Sequence, residues 1–490
     1  MKTTFLIPPA LDGTDNVDRW IGCNYSFYFL PIPAVLYSAT LLKNSAETVA
    51  IEDLAAHRKT EKDFMDFASS DDSDIYIFYT VFLSQKTDCM AREAIRKARQ
   101  GARFIFCGPH ATLTPELFLD NEDTFVIRGE PEFIIKELVA ALKRGVGPDG
   151  IAGVSYRQGS EVINNTPCPS IENIDDLPVP DRTLLDHSPY SNPKLHKGPH
   201  TSALTSRGCY GKCWFCVPNS LSYCREMEYK KTHSVKPPPR LHSAKRVIEE
   251  FRDIARLGFK SVSILDDEFL WDEKRTLEIC DGITGLGLEW SCIARPDMVT
   301  EKSAEAMSKA GCVYIDLGTE SFDEEILDSI RKEMTPADTE RAAAILKRHK
   351  IQIEINVLFG ATPKETEATM RKTLRAVKKL NPDYVLFNIA NPYPGTDFYE
   401  SAKREGWLIY GDYVPTDAMK SSIISYPHLS KEKLERFIAY AYLTYYYLNP
   451  RYLLKQLMGI KSPGEFGNKF TAALRFFLKN FVKRRADKGR

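Results

Sequence analysis

Three cysteines lie close together in the sequence, at Cys209, Cys213 and Cys216. Three thiolates can hold three irons of a [4Fe–4S] cube and leave the fourth iron without a protein ligand, whereas a cluster that only carries electrons usually has four cysteine ligands. An open iron indicates that a small molecule binds there. The alternative is a zinc knuckle with Cys224 as fourth ligand, but structural zinc sites usually pair two short Cys/His hooks and no second hook lies nearby.

The spacing C-x3-C-x2-C, with Phe215 before the last cysteine, resembles the signature of the radical S-adenosylmethionine (SAM) enzymes. In that family the amino and carboxylate groups of SAM chelate the open iron, and one electron cleaves SAM to methionine and a 5′-deoxyadenosyl radical. The resemblance implies a [4Fe–4S] cluster and SAM as cofactors, and an external electron donor of the flavodoxin or ferredoxin type. The protein then has to position the reactants and exclude water.

The composition allows a large cytoplasmic enzyme. The chain has 490 residues, 43% of them hydrophobic, which is enough for two or three domains. Its 66 basic residues equal its 66 acidic ones, so nothing indicates a nucleic acid partner. We expect no signal peptide and no membrane span, because the apolar runs are too short. Apart from the triplet, the eleven cysteines are scattered, which favours reduced thiols in the cytoplasm.

The periodicity predicts an α/β fold with two series of strands. Residues 1–150 alternate apolar strands and amphipathic helices, which predicts a doubly wound, Rossmann-like parallel sheet with ligands at the carboxyl ends of its strands. A linker rich in Pro and Asp is expected over 151–199. The front strands are expected at 4–7, 48–51, 74–79, 103–107 and 124–127.

A second series over 200–396 fits a partial TIM-type (β/α)6 barrel, the fold that the radical SAM resemblance implies. The cysteine triplet falls just after its first strand, and 217–240 reads as an inserted loop without an assigned role. Residues 397–490 are expected to be helical. The barrel strands are expected at 202–206, 261–265, 290–294, 313–317, 353–358 and 384–389.

Polar residues end several of these barrel strands, and the resemblance assigns them to SAM. Asp266 begins an acidic run where the family binds the amino group of methionine, although a helix cap with solvated charge is the alternative. Arg295 would pair with the carboxylate of SAM or form a salt bridge. Glu320, in a Gly-x-Glu-Ser element, is a ligand contact or an ion-pair partner. Asn356 should point into the barrel and bond SAM.

The front domain resembles the cobalamin-binding domain found in one branch of the superfamily, so cobalamin is a further expected cofactor. Gly108 and Gly129 stand at strand-to-helix turns, where backbone amides can approach a ligand. His110 lies beside them. The D-x-H-x-x-G motif of many cobalamin enzymes is absent, and the alternative for His110 is a hydrogen-bonded turn histidine. An empty scaffold is the alternative for the domain.

The C-terminal end carries a basic amphipathic pattern over 469–485. Such a helix suits an anionic membrane surface, which predicts peripheral membrane contact in addition to the cytoplasmic location. A terminal helix packed on the body with a solvated charged face is the alternative. Membrane contact would favour a lipid or another hydrophobic molecule as substrate.

The leading hypothesis is a cobalamin-dependent radical SAM methyltransferase that acts on an unactivated carbon of a hydrophobic or natural-product-like small molecule. The second is an oxidative cyclase or rearrangement enzyme of a tetrapyrrole or lipid pathway. The third is a non-catalytic metal-binding protein.

Overall fold

The computed structural model describes residues 1–458 apart from positions 21, 23 and 27. The chain forms two compact units: the first holds 1–211, 217–316 and 345–351, and the second holds 212–216, 317–344 and the chain from 352 onward. These units divide the chain differently from the sequence pattern, so the domain limits given above stay predictions. The basic segment 469–485 lies outside the described residues.

The strands come in two series. They are β1 (Lys2–Ile7), β2 (Thr48–Asp53), β3 (Ile75–Tyr79), β4 (Arg103–Cys107), β5 (Thr124–Ile127), β6 (Val154–Gln158), β7 (Glu161–Asn164), β8 (His200–Ala203), β9 (Ser206–Arg207), β10 (Arg240–Leu241), β11 (Ser261–Ile264), β12 (Glu289–Ala294), β13 (Cys312–Glu320), β14 (Gln352–Phe359) and β15 (Tyr384–Ile389).

Helices alternate with most of these strands. They are α1 (Pro33–Asn44), α2 (Glu61–Ser70), α3 (Gln85–Ala98), α4 (Pro109–Leu113), α5 (Glu132–Lys143), α6 (Ser220–His233), α7 (Ala244–Arg256), α8 (Glu273–Ile283), α9 (Glu301–Lys309), α10 (Glu324–Ser329), α11 (Pro336–Arg348), α12 (Glu367–Leu380), α13 (Asp397–Arg404), α14 (Lys431–Tyr442) and α15 (Pro450–Met458).

The front sheet has the strand order β2-β1-β3-β4-β5-β6-β7, and β1 to β5 are parallel. Neighbouring residues of one strand enter opposite cores, as Phe5 and Leu6 do, because helices cover both faces. This is the doubly wound sheet that the sequence predicts. The two antiparallel strands β6 and β7 extend it with residues from the segment that was expected to be a linker. Their sequences are short and half-polar and therefore do not predict strands. They are strands because β6 pairs with β5 and β7 pairs with β6.

The second sheet contains six strands in chain order, β8-β11-β12-β13-β14-β15. Sequential order with helical crossovers is the topology of a partial (β/α)6 barrel, so the predicted fold class is confirmed. In the first unit β11 pairs in parallel with β8 and β12, and in the second unit β14 pairs in parallel with β15. The small antiparallel pair β9–β10 stands between β8 and β11 in sequence, so the cysteines follow β9 rather than β8.

Tyrosines of the C-terminal helices cover the edge strand β15. Tyr442 Oη accepts the Phe387 amide proton at 3.1 Å and donates to the Phe387 carbonyl at 2.9 Å. Tyr446 Oη accepts the Val385 amide proton at 2.8 Å and donates to the Val385 carbonyl at 2.6 Å. A π-helical turn follows α14 and carries Tyr446. These hydroxyls satisfy backbone groups that an open sheet edge leaves free.

The C-terminal region is helical in α13, α14 and α15, as expected. Within the part of the chain that the structure covers, no helix combines the length and apolarity that crossing a membrane requires.

Candidate functional site

The segment that carries the three cysteines is held at both ends by Asp267, which follows β11. One oxygen of Asp267 accepts the Gly208 amide proton at 3.0 Å, and the other accepts the Asn219 amide proton at 2.6 Å. Ser222 Oγ also accepts from the Gly208 amide at 3.0 Å. A carboxylate that takes two backbone donors so far apart in sequence fixes the span of the loop between them. The acidic run that begins at Asp266 was expected to accept from the amino group of the methionine part of SAM, whereas Asp267 bonds to the protein backbone.

Cys209 belongs to the first unit and is half-buried. The Gly211 amide donates to its Sγ at 3.3 Å, a type of hydrogen bond that also stabilises cluster sulfurs. Burial raises the pKa of the Cys209 thiol to about 11, against the lowering effect of Lys236 and of the Gly211 amide. Iron has to displace that proton on binding, as metals do at thiolate sites. The donor chemistry therefore fits an iron–sulfur cluster.

Cys213 and Cys216 belong to the second unit, and both are half-buried. Between them Trp214 anchors the segment: its indole N–H donates to the Ala361 carbonyl at 2.9 Å, and its ring lies 5.1 Å from that of Phe398. The Trp214 carbonyl accepts the Phe398 amide proton at 3.1 Å. Trp214 thus anchors the cysteine segment to other residues of the second unit.

Cys224, the fourth ligand of the zinc alternative, is bonded within its own helix. Cys224 is fully buried on α6, and its thiol donates to the Ser220 carbonyl at 3.0 Å. Within residues 1–458, leaving aside the three omitted positions, no three His, Cys, Asp or Glu side chains are arranged to hold a single metal ion.

Arg207, two residues before Cys209, is clamped by a buried ion network. Its guanidinium donates to Glu130 at 2.7 Å and to Glu132 at 2.7 Å, and all three side chains are at most 1% exposed. Arg240 donates to the same Glu130 at 2.6 and 3.0 Å. Burial alone would raise the pKa of Glu130, but Arg207 and Arg240 outweigh it and hold the pKa at about 2. The turn after β5 therefore fixes the approach to the first cysteine. The sequence pattern does not predict this network, because its members are far apart in the chain.

The acidic run after β11 is bonded within the protein. Asp266 is fully buried and accepts from the Thr205 amide at 2.6 Å, the Thr205 hydroxyl at 2.5 Å and the Ser206 hydroxyl at 2.7 Å. Burial raises its pKa to about 6 despite these bonds. Glu268 accepts the amides of Leu270, at 2.7 Å, and Arg295. This geometry favours a positioning role for Asp266 over direct contact with SAM.

Arg295 forms a two-pronged ion pair with Asp297, with both N–O distances at 3.0 Å. The salt-bridge alternative from sequence analysis is therefore present. A fork of this kind can still rearrange to bind a ligand carboxylate.

Glu320 ends β13 in the left-handed region, with a φ of 63°. Its carboxylate accepts from Lys332 Nζ at 2.9 Å, and Lys332 is 5% exposed. A Cβ at Gly318 would lie 3.1 Å from that ammonium and 3.3 Å from the Glu320 carboxylate, so the glycine makes room for the pair. Strained backbone at a strand end is typical of functional sites. Lys332 was missed because it follows a helix, away from any strand end.

The inner face of β13–β15 in the second unit is half-exposed, because alternate residues of these strands face away from the helices, and it carries both polar and apolar side chains. Asn356 stands on this face, and Asn388 stands one position before the end of the parallel run on β15. Asn388 Oδ1 is buried and has no hydrogen-bond partner among the residues described. A buried acceptor without a donor fits a polar ligand such as SAM.

The predicted front-domain residues face the protein itself. A Cβ at Gly108 (φ 102°) would lie 2.6 Å from the Thr80 carbonyl, and one at Gly129 would lie 2.8 Å from Cys168 Cβ. His110 is 9% exposed, with its ring 5.3 Å from that of Phe82. Burial lowers the pKa of His110 to about 4. His110 is thus packed in a turn, and its Nδ1 is buried without a hydrogen-bond partner among the described residues, so its role stays a prediction.

The carboxyl edge of the front sheet has no room for a corrin ring in this conformation. Helix α6, from the segment read as an insertion of unknown role, packs against α4 at this edge, and its residues from Ser220 to Glu228 are buried. The residues present therefore do not fit cobalamin as they stand.

Comparison with known proteins agrees with this architecture. The sequence profile of the radical SAM superfamily matches residues 204–404. An uncharacterised methyltransferase of Pyrococcus horikoshii is 31% identical over 466 residues, which make up 93% of this chain and 95% of that protein. The anaerobic magnesium-protoporphyrin IX monomethyl ester cyclase of Cereibacter sphaeroides is 23% identical over 73% of this chain, which spans 57% of the cyclase.

A solved structure shares the fold. The cobalamin-dependent SAM radical enzyme OxsB, with aqua-cobalamin and SAM bound, matches with a TM-score of 0.70 at 15% identity, over 96% of this chain and 70% of OxsB. The front sheet, the partial barrel and the cysteine motif thus define an iron–sulfur enzyme of the SAM-cleaving class. The chain belongs to the radical SAM superfamily, and membership implies a [4Fe–4S] cluster and SAM as its cofactors.

Proposed function

We propose that this enzyme is a radical SAM methyltransferase that acts on an unactivated carbon of a hydrophobic small molecule. The support is the methyltransferase of P. horikoshii, which aligns with nearly the whole chain. The carrying observation in the structure is the cysteine segment, clamped at both ends by Asp267 and carrying three thiols.

In this proposal Cys209, Cys213 and Cys216 ligate the cluster. The cluster and SAM, when bound, would supply a 5′-deoxyadenosyl radical able to remove a hydrogen atom from the substrate. Glu320 and Asn356 orient SAM from the inner barrel face, with Arg295 as a partner for its carboxylate. Asp266 acts indirectly, by fixing Thr205 and Ser206 before the cysteine segment.

Cobalamin belongs to the proposal as a cofactor, with Gly108, His110 and Gly129 at the carboxyl edge of the front sheet, and no step is assigned to it because the packed edge does not fit it in this conformation. The support is the shared fold of the front domain. An external electron donor, a cytoplasmic location and peripheral membrane contact through 469–485 are further parts of the proposal.

A second candidate function is oxidative cyclisation or rearrangement of a tetrapyrrole or lipid. The similarity to the Mg-protoporphyrin ester cyclase favours it. The two functions differ in one product: methylation transfers a labelled methyl group from SAM to the substrate, whereas cyclisation forms deoxyadenosine without that transfer.

The test is anaerobic reconstitution with iron and sulfide, followed by reduction in the presence of SAM. We expect a brown protein that forms deoxyadenosine. The triple variant with Cys209, Cys213 and Cys216 changed to Ala should lose the colour and all cleavage. The matched control is Cys89→Ala, on α3 and outside the cysteine segment, which should retain both. Cleavage retained in the triple variant, or a colourless zinc protein, contradicts the proposal.

A further inference from the structure

The connection between α6 and β10 lies beside Cys209. Arg240 of β10 pairs with Arg207 of β9, which stands two residues before Cys209. Lys236 Nζ donates to the carbonyl of Gly211, two residues after Cys209, at 2.9 Å. All of these residues belong to the first unit. The connection therefore contacts the chain on both sides of the first cysteine.

Two further contacts fix this connection on the surface of the unit. Arg225 of α6 donates to the Pro238 carbonyl at 2.7 Å. A Cβ at Gly208 would lie 3.3 Å from the Cα of Pro239, so the glycine allows the proline to approach. The connection thus presents its side chains from a defined position next to the first cysteine.

Two apolar side chains are exposed at this place. Tyr210 and Val235 are each 58% exposed, and they directly precede Gly211 and Lys236, the two residues that the hydrogen bond joins. The ring of Tyr210 lies edge-on at 4.9 Å from that of Trp271. Aromatic residues are enriched in protein interfaces, so this pair is suited to the centre of a contact.

The charge around these two side chains is positive. The sequence contains no acidic residue over 229–248. Lys230 and Lys231 are 32% and 45% exposed, whereas the carboxylates with which they pair, Glu226 and Glu228, are only 10% and 2% exposed. The ammonium groups therefore face solvent more than their partners do, and solvent meets a basic surface there.

The nearest acidic residues in sequence beyond Trp271 are engaged at the start of α8. Asp272 accepts the Arg275 amide proton at 3.0 Å and caps the helix. Glu273 accepts a hydrogen bond from the Thr300 hydroxyl. These carboxylates bound the basic surface on the side of α8.

We propose that the basic surface, made of Tyr210, Val235, Lys230, Lys231 and Lys236, is the docking site of an acidic protein that donates one electron to the cluster. The inference rests on the proposed function in one respect, the cluster at Cys209. The donor protein is oxidised by one electron and the cluster is reduced by the same electron, so no atom is transferred. Because electrons move over short paths, a surface beside a cluster ligand is a favourable place for the donor.

The properties of the basic surface agree with such a partner. Electron-transfer complexes are weak and bury less than about 1,200 Å² in total, so a small surface is sufficient. Opposite charges accelerate the encounter of two proteins and orient them, and this acceleration falls as the ionic strength rises. Apolar side chains at the centre then exclude water from the contact.

Val235 allows a test that spares the fold, because its side chain is largely exposed. Val235→Glu adds a negative charge to the basic surface, and Val235→Lys adds a positive charge at the same position. The matched control is Val146→Glu, since Val146 is 55% exposed in the turn after α5. Arg103, the first residue of β4, donates to the Leu142 carbonyl near this turn, which places the control at the amino ends of the front strands.

The first measurement is binding, which does not depend on SAM cleavage. Isothermal titration calorimetry at low ionic strength follows a purified bacterial flavodoxin, an acidic one-electron carrier, as it binds the reconstituted protein. We expect Val235→Glu to raise the Kd about tenfold, because it repels the acidic partner. Val235→Lys should bind at least as tightly as the unchanged protein, and Val146→Glu should bind equally. At about 0.5 M salt these differences should shrink through screening.

The second measurement compares two reductants in the formation of deoxyadenosine from SAM. Val235→Glu should slow the reaction driven by reduced flavodoxin about tenfold. The same variant should keep the rate driven by dithionite, because a small reductant needs no docking surface. Val146→Glu should keep both rates.

The proposal is overturned by flavodoxin that does not bind the unchanged protein, by equal binding in the two variants of Val235, or by equal losses in Val235→Glu and Val146→Glu. A slower reaction with dithionite in Val235→Glu also overturns it, because the substitution then acts on the cluster. Failure of the proposed function gives a different result. Absent deoxyadenosine with dithionite, together with charge-dependent binding of flavodoxin at Val235, rejects the function and keeps the docking surface.

Discussion

The two sheets differ in whether the polar side chains near the carboxyl ends of their strands are bonded within the protein. At the front sheet the charged side chains bond to the protein: Glu130 pairs with Arg207 and Arg240, and Glu228 pairs with Arg128, whereas Thr80 Oγ1 and His110 Nδ1 are buried without a hydrogen-bond partner among the described residues. On β13–β15 the inner face is half-exposed and carries the strained Glu320 and the unpaired oxygen of Asn388. The same topology thus supplies a structural clamp in one place and a candidate ligand face in the other.

The difference shows that strand-end position alone does not identify a ligand contact. The two edges differ in how many hydrogen bonds each polar group already makes. A carboxylate that accepts several hydrogen bonds from the protein has little remaining capacity to bond a ligand. Asp266, bonded three times, belongs with the clamped class although it ends a barrel strand.

The largest effect is expected from breaking the buried ion network in which Glu130 pairs with Arg207 and Arg240. Glu130→Gln leaves Arg207 and Arg240 without their shared charge partner in a buried site. Removing one member of a buried ion pair costs about 3–5 kcal/mol in the free energy of unfolding. Urea unfolding at neutral pH measures the change.

The control for this clamp is Glu137→Gln, an exposed residue of α5, for which we expect a loss below ~0.5 kcal/mol. A loss for Glu130→Gln as small as that of the control would mean that the front carboxylates are not structural, and the contrast between the two edges would disappear.

A smaller and different effect is expected on the barrel face. Lys332→Met removes the ammonium that neutralises Glu320 at 2.9 Å. We expect affinity for SAM, measured by equilibrium dialysis on the reconstituted protein, to fall about tenfold to a hundredfold, roughly 1.4–2.7 kcal/mol. Glu320→Gln should lower affinity in the same direction.

Lys372→Met is the matched control, because Lys372 is 55% exposed and pairs with Asp323 in the same unit. It should leave SAM binding unchanged. Unaltered affinity in the Lys332 variant, with an unaltered melting temperature, would place the Glu320–Lys332 pair among the structural ion pairs.

The smallest effect concerns Glu365, after β14, which is buried and accepts the Gly360 amide at 2.9 Å. Burial raises its pKa to about 8. The folded state therefore keeps a proton that the unfolded chain loses near the ordinary glutamate pKa, so stability falls as the pH rises toward 8. Glu365→Gln should reduce this fall by about 1–2 kcal/mol between pH 6 and pH 8.

Chemical unfolding at pH 6, 7 and 8 measures that slope. Glu367→Gln, an exposed partner of Arg371 on α12, is the control and should keep the slope of the unchanged protein. An identical slope in both variants would show that Glu365 is not the protonated group.

Much of the fold could be predicted from the sequence, because the buried parallel strands are continuous apolar runs. The strand expected at 103–107 is β4, and that expected at 384–389 is β15. The short strands β6 and β7 were read as linker, since their pairing with β5 depends on residues distant in sequence. The insertion was recognised, but its helix α6 has so mixed a composition that neither its burial nor its target could be inferred.

The sequence by itself determined the cysteine motif, the order of the strands and the superfamily, because these depend on local spacing and periodicity. Only the tertiary structure decided which charges meet: Asp267 with both ends of the cysteine segment, Glu130 with Arg207, Lys332 with Glu320, and α6 with the front edge. Those pairings join residues far apart in the chain, and a buried charge is stable only where folding brings it a partner.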